Sequence, residues 1–391
     1  MRRRPTVKRR NLQRNRTSIQ KAFSSLVMSI VMLFFFITLI TSLGTGSVFS
    51  SSSINEASRN ISSEMFIQIM GIENPYFTQS LPEDYNPPSV SATVFELATS
   101  IDPGDHRTLL GTELPGFSLF DGTIILAGEG VDYTEMPLES APPMEVLLAE
   151  SEAADERIAE IDMLREEMAG QDELENVVHI MHAHNRESFF PELKNVDTEN
   201  ENNANHPTVN ITLAGERLGM ELSKYGIGSH VNTEDIGAML SERSWQYSQS
   251  YDMAREVLKD DIEDHGEFEF YFDLHRDAAR RDRTTIEING EKYAQIYFVL
   301  GLNNPNFEQN QQLMTELHER LDEDYPGLSK GIFEPPAGPG RNGLYNQDVS
   351  PNSILIEFGG VDNSLEEVYR TVEVFAEIFS DFYWDQLEEG E

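Results

Sequence analysis

No cysteine occurs among the 391 residues. Disulfide frameworks, thiolate zinc knuckles, iron–sulfur clusters and thiol nucleophiles are excluded, and a metal site must be built from His, Asp, Glu or water. Basic residues are scarce: 29 Lys and Arg stand against 68 Asp and Glu, a formal net charge of -39. A surface of that sign repels a phosphate backbone, so no nucleic-acid partner is expected.

The basic charge that exists gathers at one end. Residues 1–21 carry nine Lys or Arg and no acid, leaving 20 against 68, a balance of -48, for the other 370. Residues 22–43 (AFSSLVMSIVMLFFFITLITSL) hold no ionisable side chain. At about 1.5 Å per residue they make about 33 Å of helix, enough for a hydrocarbon core of about 30 Å. A transmembrane anchor is expected rather than a cleaved signal peptide, whose apolar core is shorter. The basic tail then marks the cytoplasmic side, giving a single-pass cell-membrane protein with its acidic bulk outside.

Residues 44–60 are rich in Gly and Ser, and 44–142 are expected as an extracytoplasmic tether and stalk region. Within it, GTIILAGEG (122–130) resembles a strand between turns. Residues 143–175 read as an acidic linker helix with an imperfect apolar stripe through Val146, Leu147, Ala153, Ile158, Ile161, Leu164 and Met168. From 176 to 385 the signals sharpen. Strand patterns occupy Val177 to Met181, Gly266 to His275, Ile286 to Leu300 (with a turn at Asn289-Gly290) and Ile354 to Phe358. Helical spacing runs through Ile211, Ala214, Leu218 and Leu222, and again through Leu313, Leu317 and Leu321. Ser364-Leu-Glu-Glu367 has the form of a capping box, opening a helix with Val368, Val372, Phe375, Phe379 and Phe382 on its apolar face. Strands alternating with helices indicate an α/β domain, a twisted mixed sheet flanked by helices.

Three strand ends carry chemistry. His182-Ala-His184-Asn-Arg-Glu187 follows the first strand, and a turn there brings His184 and Glu187 together. In an extended segment His182 and His184 share a face, so spacing alone does not choose between them. Asp273-Leu-His275-Arg276-Asp277 ends another strand, where Asp273 can orient the His275 imidazole. Glu357 ends a third, before Gly359-Gly360. Two imidazoles and one carboxylate with an open position form a hydrolytic zinc set. The expected Zn2+ ligands are His184, Glu187 and His275, with His182 and His230 as alternatives. Glu357 is the expected general base and acid. Arg276 is a candidate for a substrate carboxylate or a developing oxyanion, or pairs only with Asp277. Residues 335–350 are expected to line the substrate groove.

From Val177 to Tyr383 the chain resembles the stage II sporulation protein P family. The motifs are HAHNRES (182–188), DLHRDA (273–278), YAQIYFVLGLNNPN (293–306), YPGLSKGI (325–332) and YNQDVSPNSILIEFGGVDNSLEEVYRT (345–371). The family's first motif usually reads His-Thr-His-Thr-x-Glu-Ser-Tyr; Ala183, Asn185 and Phe189 depart from it, while the metal-binding types are kept. The resemblance implies a fold like other zinc amidases and exopeptidases. It implies cleavage of the N-acetylmuramoyl-L-alanine amide of peptidoglycan during engulfment, with stem-peptide cutting possible. It also implies work at the mother-cell engulfing membrane with the lytic transglycosylase stage II sporulation protein D and the membrane protein stage II sporulation protein M. A zinc carboxypeptidase on stem peptides and a non-catalytic wall-binding scaffold are the competing readings.

Overall fold

In chain order the elements are β1 (Thr123–Ala127), α1 (Met144–Leu147), β2 (Glu152–Ala153), β3 (Asn176–Met181), β4 (Leu193–Lys194), α2 (Thr212–Lys224), β5 (Gly228–Val231), α3 (Ile236–Glu242), α4 (Ser250–His265), β6 (Phe270–Asp277), α5 (Arg281–Thr284), β7 (Thr285–Ile288), β8 (Glu291–Ala294), β9 (Ile296–Val299), α6 (Phe307–Asp324), β10 (Ser329–Glu334), β11 (Ser353–Gly360) and α7 (Leu365–Glu389). They come from a computed structural model that describes residues 122–128, 130–138, 140–149, 152–153, 174–335 and 343–389. The chain divides into two units, Met1–Pro103 and Gly104–Glu391, and every described residue lies in the second.

Seven strands form one mixed sheet in the order β1-β10-β9-β11-β6-β3-β5. Neighbours β11, β6, β3 and β5 run parallel, whereas β9 meets β11, and β1 meets β10, antiparallel. Every residue of β6 and β11 is buried, as expected for central strands covered on both faces. Alternation divides the two faces. Phe270, Phe272 and Leu274 of β6, with Ile354, Ile356 and Phe358 of β11, pack into the large core beneath α2, α6 and α7. Their neighbours in sequence turn to the other face. There Leu355 meets Ile236 and Leu240 of α3 and Tyr251 of α4, while Tyr271 meets Leu258 of α4.

Local chemistry fixes the ends of these elements. Ser364 N donates to Glu367 Oε2 at 3.1 Å and Glu367 N to Ser364 Oγ at 3.4 Å, the reciprocal capping of α7 expected from the sequence. Its Val368, Val372, Phe375 and Phe379 are fully buried. The Asn289-Gly290 turn between β7 and β8 takes positive φ at both residues (55° and 88°), as a tight hairpin of that twist requires.

The transmembrane helix expected before this fold is corrected. Among the described residues no helix is long and apolar enough to cross a membrane. The long helices α6 and α7 are amphipathic, apolar toward the core and charged outside, and residues 22–43 lie outside the described residues. The single-pass membrane localisation and the attachment through 22–43 rested on that helix and are withdrawn with it.

Upstream segments join the sheet. β1, within the expected stalk, pairs with β10 from Thr123↔Glu334 to Ala127↔Gly331. Of residues 143–175, expected as a linker helix, Met144–Leu147 form the short α1 and Glu152–Ala153 pairs with β4; residues 154–173 lie outside the described residues.

Candidate metal centre

The parallel strands β3, β6 and β11 end side by side, and in such sheets sites form beyond the carboxyl ends of the strands. β3 stops at Met181, and the chain then turns, with Glu187 N donating to His184 O at 3.0 Å. The turn is pinned from outside. Arg186 donates through Nε and Nη2 to both oxygens of Asp235, at 2.8 and 2.6 Å, and through Nη1 to Leu147 O at 2.9 Å. Asn185 takes part as well, accepting from Gly237 N at 3.2 Å. The HAHNRE segment is thus fastened to the N-terminus of α3 and to α1.

The result is a buried group of His184, Glu187 and His275, whose ligand atoms all lie within 4.8 Å of one another. Glu187 stands between the rings: Oε1 is 3.5 Å from His184 Nδ1 and Oε2 is 3.5 Å from His275 Nδ1. The backbone N of Arg276 donates to Glu187 Oε2 at 2.9 Å. Both Nδ1 atoms are buried without a hydrogen-bond partner. Orphaned buried lone pairs beside a carboxylate are what a metal ion would satisfy, so this set fits a divalent cation.

Electrostatics agree with that role. Burial pushes Glu187 upward, but the close approach of the His184 and His275 rings, and the charges of His275 and Arg276, outweigh it and hold the carboxyl far below its usual range. Burial pushes His275 down, yet the adjacent carboxylates of Asp273 and Glu187 raise it well above an ordinary imidazole. Asp273 Oδ1 lies 3.0 Å from His275 Nε2 and accepts from Ala183 N at 2.9 Å. One carboxylate therefore orients the imidazole and ties β6 to the histidine turn.

Not every expected residue arrives here. His182 turns to the opposite face, under α2. There a Cβ on Gly215 would sit 2.3 Å from its Nε2. Its Nδ1 pairs with Asn232 O at 3.0 Å, and burial pushes it down to about 4. His230 sits on β5 with His179 and Asp261 instead. The Arg276 side chain is buried, its guanidinium donating to Ala204 O at 3.1 Å and Asp277 O at 3.3 Å. Glu357 is buried on β11 as the register partner of His275 on one side and Tyr297 on the other. It is not among the three residues gathered within 4.8 Å. Of residues 335–350, 336–342 lie outside the described residues; Tyr345 packs edge-on against Tyr251, ring centroids 5.3 Å apart.

Two aromatic residues escaped the sequence reading. Tyr247 stacks on His184 at 4.6 Å, and Tyr251 lies 5.1 Å from His184 and 6.0 Å from His275. Tyr251 lies in the first turn of α4 and Tyr247 in the 3-10 turn just before it, so no single helical periodicity marks the pair.

Residues 104–380 match a family model described as Stage II sporulation protein P. Stage II sporulation protein P of Bacillus subtilis (strain 168) is 38% identical over 392 residues, covering 96% of each chain. Among solved structures, the crystal structure of an N-acetylmuramyl-L-alanine amidase from Mycobacterium smegmatis covers 54% of this chain and 97% of its own. That likeness, with 12% identity and a TM-score of 0.30, carries no argument about function.

Proposed function

This chain belongs to the stage II sporulation protein P family, and from that premise we propose that it is a zinc-dependent N-acetylmuramoyl-L-alanine amidase acting on peptidoglycan during sporulation. The observation that carries the reading is the buried His184–Glu187–His275 group with Glu357 on the adjacent strand. These three residues would hold the metal. Bound zinc supplies Lewis acidity and a water acidified to a pKa of about 7.

The remaining chemistry belongs to the protein. Glu357 takes the proton of the attacking water as the new C–O bond forms at the lactyl carbonyl. It then delivers that proton to the L-alanine nitrogen as the C–N bond breaks. Asp273 fixes the His275 ring, and Tyr247 and Tyr251 wall the imidazoles from solvent. Burial of this kind strengthens each charge interaction in the site.

A carboxypeptidase needs a cationic clamp for the terminal carboxylate, and the Arg276 guanidinium is engaged by backbone carbonyls. The test is mass spectrometry of purified peptidoglycan treated with the zinc-loaded full chain. Free stem peptides beginning with L-alanine, together with intact lactyl-bearing glycan, are expected. Release of terminal amino acids alone would move the reading to a carboxypeptidase. No product from zinc-loaded protein that still binds the wall would make it a scaffold.

A further inference from the structure

Away from the proposed centre, α4 and the β3–β5 edge of the sheet bring together three imidazoles and one carboxylate. His179 and His230 are register partners on the parallel strands β3 and β5. Asp261 and His265 lie four apart on α4, hence on one helical face. Asp261 is at the middle. Its Oδ2 is 2.7 Å from His179 Nε2 and accepts from Asn232 Nδ2 at 2.8 Å, while its Oδ1 is 3.4 Å from His230 Nε2. The His230 ring lies 4.2 Å from that of His265 and 5.5 Å from that of His179. The ligand atoms of His179, His230 and Asp261 lie within 4.8 Å of one another. Phe268 closes the inner side, 5.0 Å from the His179 ring.

Two imidazoles sharing one carboxylate, with a third ring packed on one of them, are poorly served by hydrogen bonds alone. Neutral rings leave lone pairs converging without a donor, and charged rings repel one another. His179 is fully buried and commits its Nε2 to this one carboxylate, which His230 also approaches. A divalent cation resolves both conditions, because each neutral imidazole gives it a lone pair and the carboxylate offsets its charge. An i,i+4 pair on a helix facing a cross-strand pair also supplies ligands from several directions, as a tetrahedral ion needs.

We propose that His179, His230 and Asp261, with His265 closing from the rim, form a second, structural site for zinc or a similar borderline divalent cation. The site has a defined task in the fold. It fastens the C-terminal end of α4 to the sheet, and the first turn of α4 carries Tyr251, which packs on His184 and His275. The inference does not depend on the proposed reaction, since none of its residues belongs to the His184–Glu187–His275 group.

The test is zinc stoichiometry of the full chain after equilibration with Zn2+ and removal of excess. Wild type should hold two equivalents, and His230→Gln and His275→Ala one each. Their combination should hold none. His230 is partly exposed on an edge strand, so its replacement spares the core. Zinc should also raise the melting temperature of His275→Ala, and should no longer do so once His230→Gln is added. If wild type holds one equivalent and His275→Ala holds none, the second site does not exist. If His230→Gln binds as much zinc as wild type, it does not exist either. One equivalent that survives His275→Ala and disappears with His230→Gln would uphold this site while overturning the metal centre of the preceding section. A chain that folds and melts identically with and without zinc in the His275→Ala background overturns the structural role.

Discussion

His275 and Glu357 are register partners on the parallel strands β6 and β11, so their side chains leave the same face of the sheet one strand spacing apart. A carboxylate is thereby set beside the candidate metal ligands without being one of the gathered three. Glu357→Gln should retain bound zinc and the melting temperature of the native protein. Turnover of purified wall should fall by roughly 10²–10⁴-fold, the usual worth of a positioned acid–base group. Zinc content and amine release decide it, and loss of zinc would make Glu357 a ligand.

The placement of the two histidines of the HAHNRE turn gives a sharper contrast. His184→Ala should lose the metal of its site, whereas His182→Ala should keep it, because the His182 ring is turned under α2. Metal analysis of both variants in the His230→Gln background reads this site alone. The reverse pattern would place the ligand at His182.

Metal uptake at this centre should release protons. In the metal-free protein Asp273 and Glu187 keep His275 protonated at neutral pH, while Glu187 is already ionised. Zinc needs the neutral imidazole, so binding near pH 7 should displace about one proton from His275. Affinity should fall as the pH drops, because the proton then competes more strongly. Calorimetry of the His230→Gln variant in buffers of different ionisation enthalpy counts the proton. Binding that is independent of buffer would show that His275 is neutral beforehand.

His182 makes the metal-free fold sensitive to acid. Its buried ring titrates at about 4 instead of 6.5, so folding favours the neutral form. The stability this provides is present above pH 6.5 and is lost as pH falls toward 4. A shift of that size corresponds to about 3 kcal/mol. Denaturant unfolding across this window should show a steeper loss for wild type than for His182→Gln. Parallel curves would assign the acid sensitivity to other groups.

The segment before α1 should matter to folding. β1 covers the edge of β10, Glu135 pairs with the buried Lys330, and Leu138 N donates to Asp277 at 2.7 Å. A chain begun at Glu145 loses all three, and the unpaired Lys330 charge alone costs on the order of 1–3 kcal/mol. It should melt lower than a chain begun at Gly104. Equal melting temperatures would show β1 to be dispensable.

Local periodicity made much of this architecture legible before any coordinates. The alternation in β6, the Asn289-Gly290 hairpin and the capping box of α7 each involve residues a few positions apart. The strand order was not legible, because the insertion of β9 between β10, to which it is parallel, and β11, to which it is antiparallel, is settled by packing over long sequence separations. Spacing alone left His182 and His184 undecided for a local reason. The strand ends at Met181, so the alternation used to compare them no longer applies. Arg276 is the opposite case: its position beside His275 in one strand already puts the two on opposite faces. The contacts of Tyr247 and Tyr251 with the histidines depend on where α4 lands, which no spacing rule fixes.

Among the described residues the two outermost strands of the sheet are short. β1 spans Thr123–Ala127 and slips register between Ile124 and Leu126, and β5 spans only Gly228–Val231. An exposed strand edge is a template for pairing with another copy, and brevity and bulges blunt it. The balance of -48 outside the basic tail adds mutual repulsion between copies. Among the described residues, neither rim of the sheet offers a neighbouring copy a long ladder to extend.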